Sequence, residues 1–135
     1  MVSFISHVTI DARDPYALSR WWSDVLDFAE DPDDPNLPEH EECLIQSADR
    51  VTKLLFIRVP EEKAVKNRLH LDLRPVADAR DLELDRLRAL GATEVDDRRT
   101  SDGLGWVVLA DPEGNEFCIL RSLAEVAAGQ GPPTC

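Results

Sequence analysis

Three residues are of types that could do chemistry together: His7 in the segment Phe4–Asp11, His70 in the segment Arg68–Arg74, and Glu116 at the head of the apolar run that ends at Leu120. Neutral imidazole and carboxylate together bind divalent iron, manganese, zinc, nickel or cobalt. Three protein ligands leave coordination positions open for water or substrate. Asp72, two residues after His70, is a weaker candidate, either as a partner that orients the imidazole or as half of a surface ion pair. Each residue also has a plainer role open to it. A strand histidine can simply complete a hydrogen bond, and Glu116 can pair with Arg68 or Arg74. His40, in an acidic loop, reads as solvent-exposed.

The elements that must position these side chains follow from alternation. Successive side chains of a strand point to opposite faces. Over Phe4–Asp11, Phe4, Val8 and Ile10 share one face, and Ile5, His7, Thr9 and Asp11 the other. Over Arg68–Arg74, Leu69, Leu71 and Leu73 share the apolar face, and Arg68, His70, Asp72 and Arg74 the opposite one. In the last strand Glu116 is in phase with Cys118 and Leu120 and out of phase with Phe117 and Ile119. With the apolar faces under helices, both histidines point to the other face, which is concave if the sheet curls.

The connecting elements are also legible. Asp14-Pro15 is a strong helix start, with a carboxylate at the N-cap and proline at the first helical position. Leu18, Trp21, Trp22, Val25 and Leu26 then give one apolar helix face, ending near Phe28. Residues 30–42 are acidic and proline-rich and read as a surface loop, with a short edge strand at its start. Strands are expected at Cys43–Ser47 and Lys53–Val59. Asp78 is the expected cap of a second helix carrying the stripe Leu84, Leu87 and Leu90, closed by Gly91. Thr93–Asp97 reads as a strand, and Trp106–Ala110 and Glu116–Arg121 as a hairpin about the turn Asp111-Pro112-Glu113-Gly114. A short helix and a tail follow. Strand, helix, then further strands occur twice, and laying one half over the other puts His7 on His70. The offset from His70 to Glu116, carried back to His7, falls near Lys53 or Leu54, neither a good ligand.

Composition narrows the possibilities. The chain has 135 residues and a formal net charge of −12. That length fits one ordinary domain or two small fused ones, and that charge argues against nucleic acid and against an anionic membrane surface. No apolar run is long enough to span a bilayer, and the start of the chain lacks a signal-peptide pattern, so a cytoplasmic protein is expected. The three cysteines, Cys43, Cys118 and Cys135, show no CxxC spacing and suggest neither a zinc knuckle nor a disulfide framework. Cys118 reads as a small core hydrophobe. Cys135, at the end of a Gly-Gln-Gly-Pro-Pro-Thr-Cys tail, lacks a prenylation pattern.

Residues 7–28, the stretch Leu54–Arg74, Leu87–Val95 and Gly105–Leu120 together resemble the vicinal oxygen chelate superfamily, in its small glyoxalase-like and bleomycin-resistance-like branch, and the likeness covers residues 4–121. The resemblance implies an α+β fold of two βαβββ modules, about 1–60 and about 67–121, forming a curled mixed sheet around a cleft, with a tail at 122–135. It implies a homodimer and a small-molecule ligand. Matched position by position, it implies His7, His70 and Glu116 as metal ligands. Glyoxalase I-like members use four protein ligands, so the lack of a ligand near Lys53 points instead to a three-ligand pattern, as in extradiol dioxygenases or fosfomycin-resistance proteins.

Three functions remain open from the sequence. The first is a metal-dependent lyase, isomerase or dioxygenase in which the metal chelates two neighbouring oxygens of a small molecule and stabilises an anion as a Lewis acid. The second is a metal-free binding or drug-sequestering protein, with Phe56 and Trp106 among the side chains lining its pocket. The third is a chain that holds metal for structure alone. No general base stands out.

Overall fold

A computed structural model describes residues 1–129, so the expectations for the tail beyond residue 129, including Cys135, lie outside the described residues. The chain divides into two compact units, Met1–Glu62 and a second beginning at Lys63.

The first unit runs β1 (Val8–Ala12), α1 (Pro15–Leu26), β2 (Glu42–Gln46) and β3 (Lys53–Arg58). Its sheet has the order β1-β3-β2, with β1 parallel and β2 antiparallel to β3. Helix α1 starts as its sequence dictates: the Asp14 carboxylate accepts from the Ala17 N–H at 3.0 Å, and Pro15 occupies the first turn. It ends at Asp27, whose φ of 55° is left-handed. Leu18 and Trp22, four apart on one face, are buried with Ala12, Cys43, Ile45, Leu54 and Phe56. Trp21 is half-buried, its ring edge-on to Trp22. An isolated antiparallel bridge joins Ala29 to Gln46, so the expected edge strand after α1 is reduced to one residue pair.

The second unit runs β4 (Leu71–Leu73), α2 (Arg80–Ala89), β5 (Thr93–Asp97), β6 (Val107–Ala110), β7 (Glu116–Ile119) and α3 (Leu123–Ala127). The sheet order is β4-β7-β6-β5, with β4 parallel to β7 and the other pairs antiparallel. Up to β7 this is a βαβββ module. With the Ala29 bridge in the place of β5, the first unit has the same plan. The fold class is therefore α+β with mixed sheets. Leu84 and Leu87 are fully buried, as are Val107, Leu109, Phe117 and Ile119 of the sheet; these side chains form the apolar interior of the unit.

The hairpin turn is held by one aspartate. The Asp111 carbonyl accepts from the Gly114 N–H at 2.9 Å, and its buried carboxylate accepts from the N–H groups of Glu113 and Asn115, each at 2.9 Å. A buried carboxylate needs such donors, and their positions fix where β7 begins.

Several expectations change. The first strand begins at Val8, not Phe4; Phe4 and Ile5 are 87% and 85% exposed. The segment Arg68–Arg74 is paired only over Leu71–Leu73, and Leu69, expected on the covered face, is 88% exposed. Alternation fixes parity but not the length of a ladder, which needs a partner strand alongside. β7 begins at Glu116, so β4 cannot extend far before Leu71. Asp78 is not the cap of α2: Ala79 occupies that position with no side-chain bond. The helix is held there by its neighbours. The Arg80 N–H donates to the Glu125 carboxylate at 3.1 Å, and the Arg80 guanidinium donates to the carbonyls of Gly105 at 2.8 Å and Gly103 at 3.3 Å. The same Glu125 completes a capping box with Ser122 at the start of α3.

The loop held by Arg80 has one position with no room for a side chain. Gly105 has φ +86°, and a Cβ there would lie 2.0 Å from the Arg98 carbonyl oxygen. Gly105→Ala is expected to destabilise the protein by more than about 1 kcal/mol, read as a lower urea midpoint. An unchanged midpoint would show that the loop does not need this conformation.

Candidate metal centre

The parallel pair β4–β7 builds the candidate site. Its register sets Leu71 opposite Phe117, Asp72 opposite Cys118, and Leu73 opposite Ile119. Side chains of directly paired residues share a face, and residues two apart on a strand share a face. Asp72 and Cys118 are therefore neighbours on one face. His70 and Glu116, each two residues earlier on its own strand, fall on that face at its near end. Phe117 and Ile119 turn to the other face, into the interior.

Three of these side chains converge. His70 Nδ1 lies 3.3 Å from Asp72 Oδ1 and 3.7 Å from Cys118 Sγ, and one donor atom from each residue falls within 4.8 Å of the others. Cys118 is buried, while the His70 and Asp72 side chains are 42% and 38% exposed. The thiol forms the floor of the group and the imidazole and carboxylate its rim. Asp72 is thus placed against His70. Cys118 is buried, as its reading as a small core hydrophobe expects, and its thiol in addition belongs to this group. The signal for it was present: Cys118 is in phase with Glu116, and the βαβββ order makes its strand the parallel neighbour of the His70 strand.

Glu116 is on the expected face but engaged otherwise. Its side chain is only 10% exposed and is bonded to Lys66 Nζ, with Lys63 Nζ at 3.8 Å. Lysines from the connector thus take the partner role expected of Arg68 or Arg74; Arg74 donates instead to the Arg121 carbonyl at 2.6 Å. The Asn67 side-chain oxygen accepts from the Glu116 N–H at 3.3 Å. The hydrogen bond from Lys66, reinforced by its charge and that of Lys63, holds the Glu116 carboxyl below its ordinary value of 4.5.

His7, in the first unit, is exposed just before β1, with the Ser6 hydroxyl 3.0 Å from its Nδ1. The register there is the counterpart of the second: Val8 lies opposite Leu54 and Thr9 opposite Leu55. His7 precedes its strand as His70 does, and the position matching Glu116 is Lys53. Thr9 and Leu55 match Asp72 and Cys118. Of the expected pocket residues, Phe56 is fully buried within the first unit and Trp106 is half-buried beside Gly105. His40 accepts from the Leu37 N–H at 3.3 Å through Nδ1.

The site is thus an imidazole, two carboxylates and a thiol presented by parallel neighbours in an α+β sheet. A model of the glyoxalase-like domain matches residues 7–120, and the chain belongs to that family. Solved structures agree on the fold. A mutant of the fosfomycin resistance protein FosX from Listeria monocytogenes, complexed with Mn(II) and 1S,2S-dihydroxypropylphosphonic acid, is similar at 17% identity over 93% of this chain and 94% of that one, with a TM-score of 0.69. FosX from Mesorhizobium loti is similar at 20% identity over 95% and 99%, with a TM-score of 0.66. A glyoxalase/bleomycin resistance/dioxygenase family enzyme from Burkholderia phytofirmans PsJN is similar at 22% identity over 84% and 94%, with a TM-score of 0.61. Comparison with curated proteins gave no match.

The Glu116 pairing has a pH signature. A carboxyl whose folded value is depressed adds stability above its ordinary value, and that stability is lost as pH falls through the folded value. At neutral pH wild type should exceed Glu116→Gln by no more than about 1 kcal/mol, since Lys66 is largely exposed. The gap should close in acid below the ordinary value of 4.5. Urea midpoints at neutral and acid pH read this; a gap that does not change with pH would contradict it.

Proposed function

We propose that the chain is a divalent-metal-dependent member of the glyoxalase-like family that acts on a small molecule carrying two neighbouring oxygens, with His7, His70 and Glu116 as the metal ligands. The observation that supports this most is the repeated register. His7 and His70 each stand one residue before a parallel strand pair, and Glu116 shares the His70 face through the second pair. Imidazole and carboxylate suit a divalent metal, and Lys66, with its side chain 72% exposed, can leave Glu116 at little cost. A bound metal would supply Lewis-acid stabilisation of charge on a chelated oxygen. His70 would be oriented by Asp72, a carboxylate acceptor for its Nδ1 side. The Listeria FosX structure pairs Mn(II) with a dihydroxypropylphosphonic acid, a ligand with neighbouring oxygens of the kind proposed here. A cytoplasmic homodimer belongs to the same proposal. No helix among the described residues is long and apolar enough to cross a membrane.

A second reading, a metal-free protein that binds a small molecule, is favoured by one feature. Lys66 and Lys63 already neutralise Glu116, and the matching position in the first unit is Lys53.

Metal analysis separates the two. Protein purified without chelator should carry roughly one equivalent of metal, or gain it with a thermal shift on addition of manganese, iron(II), nickel, cobalt or zinc. His70→Ala should lose both. Less than roughly a tenth of an equivalent in wild type, with no thermal shift for any of these metals, would rule out the metal-dependent function.

A further inference from the structure

His70 also belongs to a ligand set that lies wholly within the second unit. We propose that His70, Asp72 and Cys118 form a site for a thiophilic divalent metal, zinc in the first instance, that needs neither His7 nor Glu116. The proposal shares with the function above only the premise that His70 binds metal.

Distances and topology carry it. Zinc holds nitrogen and oxygen at about 2.0–2.2 Å and thiolate sulfur at about 2.3 Å, so neighbouring donors around a tetrahedral ion are about 3.3–3.8 Å apart. His70 Nδ1 is 3.3 Å from Asp72 Oδ1 and 3.7 Å from Cys118 Sγ. These two edges already have the spacing of a metal's coordination shell. A single pair of neighbouring strands supplies Asp72 and Cys118 as direct partners, with His70 two residues away on the same face.

The same geometry argues against a nucleophilic relay. In a Cys–His–Asp relay the thiol and the carboxylate address different nitrogens of the imidazole. Here both lie on Nδ1. A thiol and a carboxylate converging on one nitrogen are placed to share an ion. On binding, the thiol proton leaves to solvent and the thiolate takes the metal. A thiolate in the set selects zinc or cobalt over manganese, which prefers oxygen donors. The His70 and Asp72 side chains, 42% and 38% exposed, leave the group open to solvent. In the first unit the matching positions hold His7, Thr9 and Leu55, so the set is particular to the second unit.

Cobalt(II) makes the sulfur ligand visible. The experiment uses the reduced full chain in a Cys135→Ser background, which removes the tail thiol. Cobalt(II) should give a thiolate-to-metal charge-transfer band in the near ultraviolet that zinc abolishes. Cys118→Ser should lose the band. Asp72→Asn, at an exposed side chain that does not threaten folding, should keep the band but weaken metal binding by about 10-fold or more. The thiolate band, which reports only the Cys118 set, should survive in His7→Ala and in Glu116→Gln. Cobalt bound without a thiolate band, and lost in His7→Ala or Glu116→Gln, would overturn this site while supporting the ligand set of the preceding section. A band that persists in Cys118→Ser, or metal affinity unchanged in Asp72→Asn, would also overturn it. A chain that binds no metal at all removes both.

Discussion

The pairing of Asp72 with Cys118 across the parallel strands β4 and β7 is the constraint on which the site depends. It is a short ladder, three residues on the β4 side, and it is fixed from both ends. At one end the buried Asp111 carboxylate gathers the N–H groups of Glu113 and Asn115 and so sets where β7 begins. At the other, the Leu73 carbonyl accepts from the Leu120 N–H at 2.8 Å, just past the ladder. A slip of one residue would turn Phe117 and Ile119 to the opposite face and out of the interior they fill. Burying those two side chains therefore holds His70, Asp72, Glu116 and Cys118 on one face.

The two units use one topology for different chemistry. In each, a histidine stands just before a strand that pairs in parallel with the last strand of its unit. In the second unit the neighbouring positions are Asp72, Glu116 and Cys118. In the first they are Thr9, Lys53 and Leu55. The repeat thus supplies a scaffold twice and a dense ligand set once. Lysines compensate within the same scheme: Lys66 and Lys63 balance Glu116 in a chain of net charge −12. Two proposed ligand sets share His70, one through Glu116 and one through Asp72 and Cys118.

Much of this is legible in the sequence where local chemistry decides. Asp14-Pro15 starts α1 because a carboxylate and a proline suit the first turn, and Asp111 to Gly114 makes the turn its residues favour. Parity places His70 with Asp72 and Glu116 with Cys118. What alternation cannot give is the extent of a ladder, so the segments before Val8 and Leu71 read as strand although no strand among the described residues pairs with them along their length. Asp78 has the right side chain for a cap, but Glu125, 45 residues from Arg80 in sequence, bonds the start of α2 instead. Cys118 is hidden by its apolar neighbours. Only the register between β4 and β7, far apart in sequence, shows that its buried side chain lies beside Asp72. Likewise the lysines that take Glu116 lie in a charged connector with no periodic signal.

The most direct test of this account is X-ray absorption at the zinc edge on the full-length, zinc-loaded chain. The geometry of His70, Asp72 and Cys118 predicts one sulfur at about 2.3 Å and the remaining ligands nitrogen or oxygen at about 2.0–2.2 Å, with the sulfur shell lost in Cys118→Ser. A zinc shell of nitrogen and oxygen alone, unchanged by that substitution, would contradict it.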